Sequence, residues 1–261
     1  MTTPRKTLRA QAYELLEEMI VTQVIKPGAT VTEEELATRT GIGRTPIREA
    51  LQRLARDGLV TIRPRAAIII LEMTHARQLQ LIEARAALQE QTVRLAVARA
   101  DVDQRARMLQ LAQAVTDAAA IGDGELYLRI SRDIHHVLCE AARNEFLQRF
   151  MSSLYTLSRQ FAFTHLREVD IPRAAATHAG ILRAVAARDE EAASQASKRM
   201  IAFMLDFVEG SRGVKKGRKS PRLAPGTSSR GTAATAASRG SKRTGSGKMD
   251  DARTSSGPGE D

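Results

Sequence analysis

The 261-residue sequence predicts a mainly α-helical fold, and three observations support that prediction. Apolar residues recur at helical spacing along most of the chain up to residue 210. Strand-like runs occur only between residues 59 and 71. Residues 211–261 are rich in Ser, Gly, Thr, Ala, Lys and Arg and contain few larger apolar residues, so we expect a disordered basic tail there.

The net charge of +10 is unevenly distributed. Residues 211–261 hold 12 Lys/Arg against 4 Asp/Glu, whereas residues 1–74 hold 11 against 9. The tail could therefore attract DNA without sequence preference, or act as a solvated segment that aids solubility. The single cysteine, Cys139, excludes a disulfide framework and fits a reducing compartment. Without a signal peptide or a long apolar run, the sequence predicts a soluble cytoplasmic protein with no membrane partner.

The first two helices are predicted by apolar spacing and by turn and capping signals. Residues 7–23 predict the first helix, and Lys-Pro-Gly at 26–28 predicts a turn. Thr32 and Glu35 predict a capping box, in which each side chain bonds the other residue's N–H at the start of the second helix. That helix is expected to end near Gly41. A third helix after such a short glycine-containing turn makes a helix-turn-helix.

The stretch Arg44–Leu59 predicts the third helix, with Thr45 as its N-cap and Pro46 as its first helical residue. One side of this helix is apolar: Ile47, Ala50, Leu51 and Leu54. The opposite side carries Thr45, Arg48 and Gln52, which are residue types that hydrogen-bond bases and phosphates in a major groove. A merely solvated amphipathic helix is the alternative, and the neighbouring elements favour DNA binding.

A small hairpin is predicted after the third helix. Residues 59–63 and 68–71 are short β-branched runs on either side of residues 64–67. The hairpin would complete a winged helix-turn-helix over residues 7–74. Its arginines could lie against phosphates or a minor groove, or the hairpin could simply cap the helical core, and both interpretations can hold together.

Residues 75–210 predict six helices with short connections, as in an antiparallel bundle. The apolar stripe of the first is expected at Leu81, Ala84, Leu88 and Leu95. That of the fourth is expected at Phe146, Phe150, Leu154, Leu157 and Phe161.

The run Arg44-Thr-Pro-Ile-Arg-Glu-Ala-Leu51, followed by Leu54 and Asp57-Gly-Leu-Val60, resembles the recognition-helix signature of GntR-type bacterial transcription regulators. The helical part is similar to the FCD ligand-binding domain of the FadR-like branch, and its six helices suggest the VanR-type variant. The resemblance covers about residues 7–209. It implies a homodimeric regulator that binds a double-stranded DNA operator and a small organic-acid effector.

The resemblance and the groove chemistry together imply DNA contacts from the third helix and the wing. The expected DNA-binding residues are Arg44, Thr45, Arg48, Gln52, Arg63 and Arg65. Two positions depart from the family pattern. Ala67 replaces the usual wing-tip glycine, so the wing contact is expected to be altered. Gly43 replaces a common serine, so one phosphate hydrogen bond is expected to be lost.

The resemblance also implies an effector pocket in the helical domain. FCD-type domains often bind a divalent metal through one Asp and three His, and the matching positions here are Ser131, His135, His178 and Met200. Because serine and methionine are poor ligands for hard cations, only His135 and His178 remain as candidate metal ligands. Alternatively, these histidines hydrogen-bond an anionic effector or each other. Arg85 would hold an effector carboxylate if it faces the pocket, and a surface position is the alternative.

Two other functions are alternatives to that of a regulator. A helical metalloenzyme would need a metal-activated water, but the sequence offers no Glu-x-x-His pair and only half a metal site, so we expect no enzyme activity. A constitutive architectural DNA-binding protein would depend on the basic tail. Deletion of residues 211–261 distinguishes that function from operator binding.

Overall fold

The computed structural model describes residues 7–63, 67–166 and 169–212. Within these ranges the chain forms nine helices and three short strands, which confirms the mainly α-helical class. The elements are α1 (Leu8–Val21), β1 (Thr30–Val31), α2 (Glu33–Thr40), α3 (Arg44–Arg56), β2 (Val60–Arg63), β3 (Ala67–Ile70), α4 (His75–Arg99), α5 (Val102–Ala120), α6 (Gly124–Ala141), α7 (Glu145–Thr164), α8 (Ile171–Ala186) and α9 (Glu190–Ser211). None of the described helices combines the length and apolar character that crossing a membrane requires.

The N-terminal elements form a winged helix-turn-helix around their own hydrophobic core. Helices α1, α2 and α3 pack with an antiparallel sheet in the order β1-β3-β2. Strand β1, only two residues long, was missed in the sequence because it is too short to show alternation. Gly41 ends α2 in the left-handed conformation (φ 69°), which lets the chain turn sharply into α3.

The two predicted helix starts were only partly right. Thr32 caps α2 as expected, since its Oγ1 accepts from the N–H of Glu35 at 3.1 Å. The Glu35 carboxylate does not return the bond but lies 3.2 Å from Arg39. Helix α3 begins at Arg44, and its N-cap is Gly43 rather than Thr45. Pro46 is therefore third in the helix, a position whose N–H also lacks an intrahelical acceptor.

The wing hairpin is present, but one expected position in it is wrong. Ala67 begins β3 and pairs across the sheet with Arg63, so it is a strand residue and not the wing tip. Residues 64–66, which include the predicted DNA contact Arg65, lie outside the described residues.

Helices α4 to α9 form the second hydrophobic core, which runs from Met73 to Val208. Two of the predicted apolar stripes are only partly right, since Leu81 of α4 and Phe161 of α7 are buried as expected but other members are exposed. Phe146 and Phe150 are 59% and 55% exposed, whereas α7 buries Leu147 and Met151. In α4, Ala84 is exposed and the buried face carries polar side chains, namely Gln78, Arg85, Gln89 and Thr92. Counting apolar residues alone misjudges a helix that buries polar groups.

The end of the helical part lies slightly beyond its predicted position. Helix α9 continues to Ser211, a buried residue whose Oγ is 3.1 Å from Nε2 of His75. The predicted basic tail, apart from Ser211 and Arg212, lies outside the described residues.

Candidate nucleic-acid interface and bundle cavity

Helix α3 presents one polar, exposed face, which we call the α3 front. Its members are Arg44, Thr45, Arg48 and Gln52, and all four are exposed as the sequence predicted. The opposite face is fixed in the core, where Ile47, Ala50, Leu51 and Leu54 are at most 1% exposed. Because the apolar face is immobilised by packing, the α3 front is held on the surface in a fixed orientation.

Two arginines of the α3 front are paired with the first turn of α2. Arg44 Nη2 lies 2.7 Å from Glu34 Oε1. The Arg48 guanidinium donates to both oxygens of Glu33, with Nη2 at 2.8 Å and Nε at 3.0 Å. These hydrogen bonds from Arg48 lower the pKa of Glu33. Exposed ion pairs of this kind are worth about 0–1 kcal/mol, so a phosphate or a base can replace the carboxylate at small cost.

The wing contributes one described basic residue to the predicted DNA contacts. Arg63, at the end of β2, is exposed and pairs in the sheet with Ala67. Of the six residues predicted to contact DNA, five are therefore described and exposed, and Arg65 lies outside the described residues.

The helical domain encloses adjoining cavities that we treat as one and call the bundle cavity. All the predicted effector residues line it: Arg85, Ser131, His135 and His178. Tyr127, Tyr155, Arg159 and Met200 also contribute to its wall. The larger part has a cavity volume of about 60 Å³, several times the roughly 10–15 Å³ that one water requires. The cavity therefore has room for a small ligand.

Arg85 is buried in the wall of this cavity, so the surface alternative is wrong. Its side chain is 6% exposed, and its Nε donates to Gln89 Oε1 at 2.9 Å. The guanidinium also lies 5.7 Å from the centre of the Tyr155 ring. Among the described residues, no carboxylate forms an ion pair with Arg85. Burial lowers the pKa of Arg85, but an arginine stays charged in proteins, so the cavity contains a cation that no described carboxylate neutralises.

The two histidines hold neutral rings against this cavity. His178 Nδ1 is 3.1 Å from the carbonyl oxygen of Ala174 and 3.3 Å from the Tyr127 hydroxyl. Because the carbonyl oxygen can only accept, the shorter contact assigns the proton to Nδ1 and the acceptor role to Nε2. Burial, followed by the charge of Arg85, lowers the pKa of His178 to about 4. His135 stacks on Tyr155 with ring centres 4.3 Å apart, and burial lowers its pKa well below the usual value.

The remaining positions of the expected metal site are engaged elsewhere. Ser131 Oγ is hydrogen-bonded to the Tyr155 hydroxyl at 2.7 Å, and Met200 Sδ accepts from Thr177 at 3.4 Å. Among the described residues, no group of three or more His, Cys, Asp or Glu is placed to hold a metal ion. Two imidazoles without a carboxylate do not fit the donor set of a divalent metal site.

Known protein families match both parts of the chain. The model of bacterial regulatory proteins of the gntR family matches residues 8–70, and the FCD domain model matches residues 80–203. The chain belongs to the GntR family and carries an FCD domain. Its six described helices from α4 to α9 agree with the number predicted for the second part of this GntR-family chain.

Individual relatives agree with this assignment. YdhC, an uncharacterized HTH-type transcriptional regulator of Bacillus subtilis, is 28% identical over 149 residues, which are 56% of this chain and 66% of YdhC. A "Probable D-xylose utilization operon transcriptional repressor" of Paenarthrobacter nicotinovorans is 26% identical over 210 residues, 80% of this chain and 92% of that protein. Several other curated regulators align over 32–64% of their own length, so the chain spans less than two thirds of these relatives.

A solved structure supports the fold. E. coli McbR/YncC has a TM-score of 0.70 at 19% identity, over 80% of this chain and all of that one. At this identity the likeness establishes the GntR-family fold alone.

Sequence reasoning missed Tyr127, Tyr155 and Arg159 as cavity residues of this GntR-family chain. A signal for the cavity was nevertheless present in α4, where polar residues recur at positions 78, 85, 89 and 92. That spacing of seven, four and three places them on one helical face. A polar stripe at helical spacing within an otherwise apolar bundle indicates a buried polar site.

Proposed function

We propose that this chain is a sequence-specific DNA-binding transcription regulator whose affinity for its operator is changed by a small organic acid bound in the bundle cavity. The α3 front carries the DNA-binding part of the proposal. Four exposed residues able to read base edges and phosphates lie on one face of a helix whose other face is fixed in a core. The family membership and the transcription regulators among its relatives support the same function.

Arg85 supports the effector part of the proposal. A buried guanidinium without a carboxylate is costly, and an anion that binds it offsets that cost. A carboxylate suits the planar fork of guanidinium donors, because it can accept two parallel hydrogen bonds. His178 Nε2 and the tyrosine hydroxyls offer further hydrogen bonds to hydroxyl groups, as sugar acids and hydroxy acids would require.

The regulator is proposed to act as a homodimer in the cytoplasm. Two recognition helices must be paired to reach half-sites one DNA turn apart. Phe146 and Phe150 are exposed large apolar side chains on α7, and the guanidinium of Arg149 lies over both rings. These two phenylalanines are candidates for the contact between two copies.

The relatives are transcription regulators rather than enzymes, and no catalytic role is proposed for the cavity.

The test of DNA binding uses Arg48→Ala and a duplex selected from a random-sequence pool by the full-length protein. Loss of a bidentate base contact should weaken binding by about 1–3 kcal/mol, or roughly 5- to 150-fold. Fluorescence anisotropy at fixed salt measures the effect. Arg94→Ala removes the same charge from an exposed position on α4 and should leave the affinity unchanged. Equal affinities of Arg48→Ala and the unmodified protein would show that the α3 front does not read DNA.

The alternative of a constitutive architectural protein depends on the basic segment after α9. A chain truncated after Arg212 keeps all nine described helices but lacks that segment. If the proposed function holds, this chain retains sequence-specific binding to the selected duplex. A tail-driven protein would instead lose most of its affinity together with most of its salt dependence.

A further inference from the structure

Arg159 of α7 lines the bundle cavity and also forms ion pairs with α1 of the winged helix-turn-helix. Its side chain is only 4% exposed. Nη2 donates to Glu18 Oε2 at 3.1 Å, and Nη1 lies 3.6 Å from Glu17 Oε1. Arg159 is therefore a direct link between the wall of the cavity and the first helix of the winged helix-turn-helix.

Three neighbouring residues of the cavity wall have buried polar atoms that lack a hydrogen-bond partner within the described part of the chain. They are Arg159 (Nε and Nη1), Ser158 (Oγ) and Gln78 (Oε1). Nearly all buried polar groups in proteins are hydrogen-bonded, so a cluster of unpaired ones around a cavity indicates a ligand. Two of these atoms are guanidinium donors, and the hydroxyl can also donate, which favours a ligand rich in acceptors.

The cavity therefore has two cationic positions rather than one. Arg85 has no carboxylate partner among the described residues, and Arg159 has two donors free of hydrogen bonds. Tyr155 lies one helical turn before Arg159, and the centre of its ring is 5.7 Å from the guanidinium of Arg85. Arg85, Tyr155 and Arg159 line the same part of the cavity, so its wall offers two guanidinium groups to a short molecule with an anionic group at each end.

The two carboxylates that pair with Arg159 on α1 also have other partners. Glu17 Oε1 accepts its hydrogen bond from Thr156 Oγ1 at 3.0 Å, while Arg159 Nη1 lies beyond hydrogen-bond distance. Burial raises the pKa of Glu17, which disfavours its negative charge. Glu18 is also approached by Arg132, at 3.7 Å. A carboxylate that enters the cavity therefore competes for Arg159 with Glu17 and Glu18, which have other partners as well.

We propose that the effector is a short dicarboxylate that binds Arg85 with one carboxylate and Arg159 with the other, and that the second contact draws Arg159 away from Glu17 and Glu18. Occupancy of the cavity is thereby coupled to the attachment of α1, and so to the position of the winged helix-turn-helix. A carboxylate can accept two parallel hydrogen bonds from Arg159 only if Nη2 takes part, and Nη2 is bonded to Glu18. The ligand therefore binds more tightly to the arrangement in which α1 is released. This inference rests on the proposed function, in which an organic acid binds the same cavity.

The first test compares malonate, succinate, glutarate and adipate with their monomethyl esters, by calorimetry on the full-length protein. Each ester keeps one carboxylate and nearly the same length. At least one diacid should bind roughly tenfold or more tightly than its ester, because a second charged hydrogen-bonded contact is made. In Arg159→Gln the preference should fall to about one, with the ester affinity retained.

Two variants control for a general effect on folding or charge. Arg132→Gln removes an ion pair to the same Glu18 from a residue that does not line the cavity, so it should keep the diacid preference. Arg159→Lys keeps the positive charge in a smaller group, so it should show part of the diacid preference. It provides a second test at this position if Arg159→Gln folds poorly.

The second test measures hydrogen exchange of the α1 amides, residues 8–21. Saturation with the preferred diacid should speed their exchange in the unmodified protein but not in Arg159→Gln, whose α1 is already released from this arginine. The inference is overturned if no diacid is preferred over its ester, if Arg159→Gln keeps the preference, or if α1 exchange does not respond. None of these outcomes bears on DNA binding by the α3 front, which the selected duplex tests without any acid.

Discussion

Arg48 and Arg85 are two arginines whose surroundings are opposite. Arg48 is exposed on α3, and its guanidinium is bonded to both oxygens of Glu33. Arg85 is buried on α4 and has no carboxylate partner among the described residues. An exposed pair can be exchanged for another anion at little cost, whereas a buried cation without a counterion gains a great deal from one. The first arrangement suits reversible binding to DNA, and the second suits a small anionic ligand.

The largest effect is expected when the buried cation is removed. Arg85→Met should weaken binding of the best acid found in a thermal-shift screen of sugar acids, hydroxy acids and fatty acids by about 2–5 kcal/mol. The ligand-free variant should also melt at a higher temperature, since an unpaired buried charge is replaced by an apolar side chain. Arg94→Met, on the exposed face of α4, is the matched control and should change neither quantity. Unaltered acid binding by Arg85→Met would remove the contrast between the two arginines.

Low pH should lower the free energy of unfolding because His178 is buried in its neutral form. The pKa of His178 is about 4 in the fold against 6.5 ordinarily, so between these values the unfolded chain binds a proton that the folded chain does not. Stability therefore falls as the pH drops from 6.5 to 4, by up to about 3 kcal/mol for this residue. Urea denaturation across this pH range should show a flatter dependence for His178→Gln. The exposed neighbour variant His136→Gln should keep the steep dependence, and identical slopes for all three proteins would contradict the buried neutral ring.

A smaller effect is expected at the exposed pair. Glu33→Gln removes the carboxylate that occupies Arg48 in the free protein. DNA binding should become tighter by at most about 1 kcal/mol, or roughly fivefold, because exposed ion pairs are weak. Glu35→Gln on the same helix, whose carboxylate contacts Arg39 instead, is the control. Weaker binding by Glu33→Gln would mean that Glu33 orients Arg48 for DNA rather than competing with it.

The smallest effect is expected at the start of α3. Gly43 is the N-cap and has an ordinary φ of −59°, so Gly43→Ser fits without strain and supplies a capping oxygen. The gain in the free energy of unfolding should be a few tenths of a kcal/mol. Chemical denaturation can resolve such a difference against Gly43→Ala, which adds a side chain without the oxygen. No gain of serine over alanine would mean that the hydroxyl does not reach the N-terminal amides.

The two regions also differ in how well the sequence predicts them. The α3 front followed from periodicity, because Ile47, Leu51 and Leu54 occupy the buried face and leave the polar residues outside. In α4 the same reasoning placed Leu81 correctly but missed the buried Arg85 and Gln89. Arg85 also lies over Tyr155 of α7, a helix distant in sequence, and no local pattern reveals such a neighbour. The start of α3 was also predicted two residues too late, because its N-cap is Gly43 rather than Thr45.

The link between the bundle cavity and the α3 front predicts a change in the affinity of the full-length protein for its selected duplex. That affinity is measured with and without the best acid from the screen, at constant ionic strength. The unmodified protein should change its affinity at least about fivefold when the acid is saturating, as expected for coupled sites. Arg85→Met should bind the duplex equally well under both conditions. An affinity that does not respond to the acid in the unmodified protein, or that responds equally in Arg85→Met, would contradict the link between the bundle cavity and the α3 front.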